Sequence, residues 1–363
     1  MNDSFLLQQI ALSIIPGLGP KRTREILQLF EHPMEVFRAP LKDFQSLGFF
    51  SNQYYQAIHS RDIMQQAESI LKKCLKSNIE ITFFTHPNYP HRLQQCDDAP
   101  VILYTKGNAL KSYPFMIAIV GSRMPTAYGL GFVRDFISSI KDFPLCIVSG
   151  LAYGIDQTAH QSALEYNIPT VGCVAHGLHT IYPAAHKSLA SQMEKCGGII
   201  SEYPPGVFAD KDRFPMRNRM IAGLTDATIV VESALSGGSL ITAQFAQQYN
   251  RDIYALPGQI HDEKSAGCHQ LIKKNIAAII QDIPSFMEDL GMKTQTALVF
   301  DTPETSTEGN VIIQILTQHR NLHTDELQIR SGLSVSDFAG ALFELEINGR
   351  IRKLPGCRVT FTR

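Results

Sequence analysis

The chain has 363 residues, 44% hydrophobic and 18% charged, enough for two or three domains with a full core and ordinary for a soluble globular protein. Its 33 Lys and Arg stand against 34 Asp and Glu, a formal net charge of −1. That balance excludes a broadly basic nucleic-acid coat, so any anion site must be built locally from backbone N–H groups and a few clustered cations. The 7 cysteines are scattered singly, without a Cys-x-x-Cys pair, so a reducing compartment is expected and no metal or cofactor is assigned. No apolar run approaches the roughly 20 residues of a spanning helix, and the N-terminus shows no secretory pattern; the expectation is a cytoplasmic protein without membrane insertion.

Residues 1–78 read as helical, with apolar residues at helical spacing in Phe5–Ile14, Thr23–Phe30 and Ile63–Leu75. Between the first two lies Ile15-Pro16-Gly17-Leu18-Gly19-Pro20-Lys21-Arg22. A Gly-x-Gly turn feeding a helix exposes backbone N–H groups toward an anion. This stretch resembles the hairpin of helix-hairpin-helix modules; a plain turn between two packed helices is the other reading, and both stay open.

Residues 79–291 begin with the turn Thr85–Pro90 and an extended run from Pro100 to Tyr104. Candidate strands follow at Met116–Val120, Leu145–Val148, Thr170–Val174, Ile199–Ser201, Ala227–Val231 and Asp252–Ala255. Helices are expected at Tyr128–Lys141, Gln157–Tyr166, His186–Lys195 and Leu240–Tyr249. Such alternation implies right-handed crossovers and an α/β fold with a Rossmann-like, doubly wound parallel sheet. Residues 292–308 read as a linker. In 309–363 the order helix Val311–Gln318, short helix from Thr324, turn at Ser331-Gly332, helix Ser334–Asn348 and two strands, Arg350–Lys353 and Arg358–Thr362, is that of a winged helix.

In an open parallel sheet, ligands bind beyond the carboxyl ends of the strands. Here those ends carry Gly121-Ser122-Arg123, Ser149–Asp156, Glu232–Ala243 with Ser236-Gly237-Gly238-Ser239, and Pro257-Gly258. Small residues let amides approach an anion, and helix N-termini add partial positive charge. Several such turns on one sheet edge describe a phosphate-binding rim. The stretch Lys211-Asp212-Arg213-Phe214-Pro215-Met216-Arg217-Asn218-Arg219, read as a basic loop, adds cations for phosphates, an amide in Asn218, and an aromatic face on which a base can stack. Taken with the rim, it points to single-stranded nucleic acid, with about four to six phosphates neutralised per protomer.

These residues resemble the DNA-processing protein A family, also called Smf, of bacterial natural transformation. The resemblance runs through Tyr89-Pro90 with Leu93, Pro100, Leu103-Tyr104, Gly121-Ser122-Arg123, Ser149–Asp156 with His160, Tyr182-Pro183, Ser201-Glu202, Phe214–Leu224, Gly237–Ala243 and Pro257-Gly258. It implies an N-terminal SAM-like helical domain, an extended Rossmann-like domain and a C-terminal winged helix. It also implies a homodimer that binds single-stranded DNA, protects incoming DNA and loads the RecA recombinase onto it. By resemblance, Arg123, Lys211, Phe214, Arg217 and Arg219 are the DNA contacts, and Ser122, Ser149, Gly150, Gly238 and Ser239 are backbone or hydroxyl phosphate ligands. A dimer contact is implied near Leu271-Ile272. The chain departs from many members at His179 and His186, which replace an Asp and an Asn, and at Gly267-Cys268-His269, which replaces Gly-x-Asn.

Other readings carry less. His160, His176, His179 and His186 lack carboxylate or cysteine partners at metal spacing. No Gly-x-Gly-x-x-Gly follows a strand and no Walker motif is present. A Rossmann-like phosphoribohydrolase is the enzymatic alternative, but Ala243 and Gln244 stand where its catalytic acid belongs, and Glu232 and Glu202 are expected to cap N–H groups or pair with arginines. The last helix carries Asp337, Glu344 and Glu346 and no cation before Arg350, which disfavours duplex reading by the winged helix.

Overall fold

The structure, a computed structural model, describes residues 3–30, 33–292, 306–319, 322–348, 350–354 and 358–361. The chain divides into two compact units, Met1–Met292 and Lys293–Arg363.

The first unit is built on a nine-stranded sheet: β1 (Glu80–Phe83), β2 (Ile102–Gly107), β3 (Phe115–Val120), β4 (Leu145–Ser149), β5 (Thr170–Val174), β6 (Gly197–Ser201), β7 (Ala227–Val230), β8 (Asp252–Ala255) and β9 (Ala278–Ile279). Their spatial order is β1-β2-β6-β5-β4-β3-β7-β8-β9. From β6 to β9 all neighbours are parallel, while β2 joins β6 antiparallel and β1 joins β2 antiparallel. The strand order therefore reverses between β3 and β7, the topological switch point of a doubly wound sheet. The central strands are apolar along their whole length, as in Phe115-Met-Ile-Ala-Ile-Val120, because both faces are covered. One face packs Val120, Val148, Met220 and Ala243; the other packs Ile119, Ile147, Phe136 and Ile155.

The amino-terminal helices, chiefly Asp3–Ser13, Gly19–Gln28 and Arg61–Lys76, lie on the β1–β2 side. Ile70, Leu71 and Cys74 share a core with Ile102, Tyr104 and Val174. The boundary expected at 78/79 is thus a change of secondary-structure class rather than a gap in packing. Arg24 reinforces the join, its Nη1 donating to Cys96 O at 2.9 Å and Asp97 O at 3.2 Å. In the hairpin, Gly17 and Gly19 have φ of 75° and 61°, a region that favours glycine. Arg22 is engaged inside it: Nη1 donates to the Tyr54 hydroxyl at 2.7 Å and to Gly17 O at 3.2 Å. That is the plain-turn reading for Arg22, whose guanidinium secures the turn.

The second unit packs helices Thr307–Gln318, Thr324–Ser331 and Val335–Ile347 against a three-stranded sheet of Leu322–His323, Ile351–Leu354 and Arg358–Phe361. Gly332, at φ 66°, ends the second helix in the left-handed region, and the Ser334 hydroxyl accepts from Asp337 N to cap the third. Most of the expected linker 292–308, namely 293–305, lies outside the described residues, as does Thr362.

Candidate nucleic-acid interface

A crevice of about 820 Å³ opens at the switch point between β3 and β7. Its lining includes Ser122, Arg123, Lys211, Phe214, Arg217, Asn218, Gly238 and Ser239. Residues as far apart in sequence as 122 and 239 meet there because the turns after β3 and β7 flank the reversal of strand order. Helices Ala127–Ser139, Ile155–Glu165, Arg213–Leu224 and Gly238–Gln248 all begin nearby, so their N-terminal N–H groups add positive potential.

The stretch 211–219 corrects the sequence reading in one respect. Only its start is loop; Arg213 to Leu224 is an α-helix. Pro215 does not prevent this, because proline fits the first helical turn, where the N–H groups have no intrahelical acceptor. The helix sorts the cations. Lys211, before it, is exposed and has no ion pair among the described residues. Arg123, on the facing turn, is likewise exposed and unpaired by any described carboxylate, its guanidinium 5.6 Å from the Phe214 ring centre. Tyr182 completes the aromatic side, its ring 5.8 Å from that of Phe214.

Arg217 and Arg219 are inside. Arg217 is 5% exposed, and its Nη1 donates to Gly150 O and Cys173 O while Nε donates to Asn218 Oδ1. It is a strut across the ends of β4 and β5, with one edge in the crevice wall. Asn218 in turn donates from Nδ2 to Gly238 O at 3.1 Å, tying the helix to the glycine turn. Arg219, 2% exposed, faces away from the crevice and pairs with Glu202. Helical spacing turns it toward the core beside Met220, so it is not available as a surface phosphate contact.

The expected small-residue ligands divide similarly. Gly238 is exposed in the crevice, and the Ser122 hydroxyl accepts from Met124 N. Ser239 Oγ donates to Ser233 Oγ at 2.8 Å, an internal bond at the foot of the rim. Ser149 is fully buried, donating to Ile119 O at 2.6 Å, and Gly150 donates its N–H to Asp156 Oδ2 at 3.1 Å. Both lie beneath the crevice rather than on its surface. Pro257-Gly258 is also absent from the lining; Pro257 O accepts from the Tyr128 hydroxyl. Four to six neutralised phosphates therefore exceed what the free cations of the crevice alone can supply.

Sequence reasoning placed Asp156 on the rim only as the end of the Ser149–Asp156 turn and gave it no role of its own; it is a carboxylate 6% exposed that lines the crevice. Burial pushes its carboxyl above the ordinary value and the Arg217 guanidinium below its own, each partly offset by the other's charge. The pair flanks Gly150 so tightly that a Cβ there would meet Arg217 Nη2 and Asp156 Oδ2 at 2.7 Å. No local signal marks this, since Asp156 lies in the first turn of a helix, where acids are common.

The carboxylates weighed as catalytic acids are engaged elsewhere. Glu232, fully buried, accepts from Thr126 N at 2.9 Å and from the Thr126 hydroxyl, fixing the start of helix Ala127–Ser139. Glu202 holds Arg219, and neither lines the crevice. The histidines are separated in role. His160 Nδ1 bonds Thr170 Oγ1, His176 Nε2 accepts from Tyr182 N, His179 Nδ1 accepts from Gly206 N, and His186 Nδ1 lies 2.9 Å from Leu151 O. His269 bonds the Gly258 backbone. Among the described residues no group of His, Cys, Asp or Glu is arranged to hold a metal ion, and no helix is long and apolar enough to cross a membrane. Leu271, half of the expected dimer contact, is buried in its own core because helix Ala266–Lys273 turns Gly267, Cys268 and Leu271 inward; Ile272 is only half-buried.

Fold and crevice together define a doubly wound α/β protein with a cation- and aromatic-lined site at its switch point, followed by a winged helix. The chain belongs to the DNA recombination-mediator protein A family, whose model matches residues 80–291, and residues 299–357 match the DprA winged helix domain. It is 35% identical over 287 residues to protein Smf of Escherichia coli, covering 76% of this chain and 75% of that one. It is 43% identical over 187 residues to the DNA processing protein DprA of Streptococcus pneumoniae, covering 51% of this chain and 66% of that one. The solved structure of the S. pneumoniae protein superposes with a TM-score of 0.64 at 32% identity, over 78% of this chain and 97% of that one. That of DNA processing protein A from Helicobacter pylori, described for its single-stranded DNA binding mode, gives 0.54 at 29% identity, over 58% and 95%.

Proposed function

We propose that this chain binds single-stranded DNA in the switch-point crevice without chemically changing it. On this reading it acts in natural transformation and DNA uptake, where it protects incoming DNA and loads the RecA recombinase onto it. It acts in the cytoplasm as a homodimer, with Ile272 on the dimer side. The helical segment 1–78, the domain 79–291, the linker 292–308 and the winged helix 309–363 are its working parts. The observation that carries the reading is the convergence of Arg123, Lys211 and Phe214 on one crevice, with Arg123 beside the aromatic ring and neither cation in an ion pair among the described residues. Cations held there without internal partners suit phosphates, and a ring beside them suits a base in any sequence. The names of the relatives, DNA processing proteins, and the single-stranded DNA binding described for the H. pylori protein support the same direction.

The test is a gel shift of the full chain on single-stranded and duplex oligonucleotides, comparing wild type with Arg123→Ala plus Lys211→Ala. Single strands should bind more tightly than duplex, and the double variant should weaken single-strand binding by about tenfold or more on every sequence. Unchanged binding would remove the crevice as the DNA site. Released base on incubation with nucleoside monophosphates would favour the nucleotide-hydrolase alternative instead.

A further inference from the structure

Helix Arg61–Lys76 buries Ile63, Ala67, Ile70, Leu71 and Cys74 and turns Lys72, Lys73 and Lys76 to solvent around a shallow depression of about 330 Å³. Among the described residues none of the three lysines forms an ion pair, and Glu68 is the one acid in the depression. This cationic face is not isolated from the crevice. Lys73 Nζ would lie 3.4 Å from a Cβ on Gly206, which places its ammonium on the segment leading into helix Arg213–Leu224. The same segment supplies Ala209, Asp210 and Lys211 to the crevice wall. Gly206 and Ala209 are three residues apart, at most ~10 Å of chain.

The intervening surface suits a nucleic-acid strand. Phe208 is 67% exposed, its ring edge-on to His179 at 5.2 Å. Behind it, Arg213 Nη1 donates to Phe208 O at 2.8 Å and the guanidinium lies 5.6 Å from the Tyr203 ring. The bridge is fixed in place: Gly206 N donates to His179 Nδ1 at 3.1 Å and Gly177 N donates to Val207 O at 2.8 Å. An aromatic ring exposed between two groups of free cations is the pattern of a surface that stacks bases while neutralising the backbone.

We propose that single-stranded DNA leaves the crevice across Phe208 and continues onto Lys72, Lys73 and Lys76, a second phosphate-binding subsite supplied by the amino-terminal helical layer. The proposal rests on the crevice being the primary DNA site. It accounts for the shortfall in free cations there, because the lysines restore the number that a strand of moderate length would need.

The full chain is assayed with oligothymidylates of about 5 nucleotides, which fill only the crevice, and about 20 nucleotides, which reach the helix. Lys72→Glu with Lys73→Glu and Lys76→Glu should weaken the long oligonucleotide at least about tenfold. It should also flatten its log affinity against log salt by about 2, at roughly 0.7 per phosphate on a single strand. Short-oligonucleotide binding stays as in wild type. The Lys→Gln set should show the same length dependence with a smaller loss, and Phe208→Ala should weaken only the long ligand. No loss on the long oligonucleotide, or an equal loss on both, overturns the proposal. The crevice itself is read separately: Arg123→Ala plus Lys211→Ala should weaken both lengths, and if it weakens neither, the crevice reading fails and the extension with it.

Discussion

The guanidinium of Arg123 lies 5.6 Å from the centre of the Phe214 ring, and that of Arg217 lies 5.9 Å from the same centre. The two cations differ in kind. Arg217 is an internal strut, whereas Arg123 is exposed and has no carboxylate partner among the described residues. Phe214 is thus held by contacts on its inner side and presented beside a cation free to meet a phosphate.

Phe214→Ala should weaken single-strand binding by about 1–3 kcal/mol, the range for loss of one base–aromatic stack. Fluorescence anisotropy with labelled oligonucleotides reads this directly. The unfolding midpoint should change little, because Phe214 is only half-buried. A loss of stability as large as the loss of affinity would make the ring a core residue rather than a contact.

Arg217→Ala should act on the fold before it acts on binding. It removes the donors to Gly150 O and Cys173 O and leaves Asp156 buried without its neighbouring cation. Losing a charged donor to buried acceptors costs about 1.5–3 kcal/mol per hydrogen bond, measurable by urea unfolding. Arg123→Ala, at an exposed site, should leave the urea midpoint within about 0.5 kcal/mol of wild type while lowering affinity. Equal stability of the two variants would contradict the strut assignment.

The neighbouring glycines of the rim should respond differently. A Cβ on Gly237 would sit 2.1 Å from Ser233 Oγ, whereas one on Gly238 meets nothing within 4 Å. Gly237→Ala must displace Ser233, breaking its bond to Ser239, and should destabilise by about 1–3 kcal/mol. Gly238→Ala, at the first helical position, should be neutral or stabilise by up to about 1 kcal/mol. Its methyl group projects where an anion would approach, so DNA affinity should fall without loss of fold. Thermal unfolding together with DNA titration separates the two effects.

His160 gives the first unit a pH dependence. It is fully buried, and since Thr170 Oγ1 donates to Ile147 O it accepts from His160 Nδ1–H, leaving Nε2 as a buried acceptor without a partner among the described residues. Burial, with the charges of His186 and Arg217, pushes its pKa down to about 3. Below the ordinary value near 6.5 the unfolded chain takes up a proton that the folded chain refuses. This site alone therefore lowers stability as pH falls from about 6.5 toward 3, by about 1.4 kcal/mol per pH unit. Urea unfolding at pH 7 and pH 5 should show a smaller pH-dependent loss for His160→Gln than for wild type; identical losses would show that His160 is protonated in the folded state.

Much of the architecture is legible in the residues. The six strands read between Met116 and Ala255 fall on β3 to β8, because fully buried parallel strands are short apolar runs closed by Gly, Ser or Pro. The short edge strands β1 and β9 escaped, having little apolar length to mark them. Helix Arg213–Leu224 escaped because Pro215 and a dense run of charge imitate a loop.

By itself the sequence determined which turns carry small residues, where cations and the aromatic ring occur, and that they belong to the edge of a doubly wound sheet. These follow from local periodicity and backbone preference, which neighbouring residues decide. Only the tertiary structure decided which cations are free. The acceptors of Arg217 lie 67 and 44 residues away, at Gly150 and Cys173, and the partner of Arg219 lies 17 away, at Glu202. A guanidinium is available to a phosphate only when no buried acceptor claims it, and that depends on chain segments brought together by the fold.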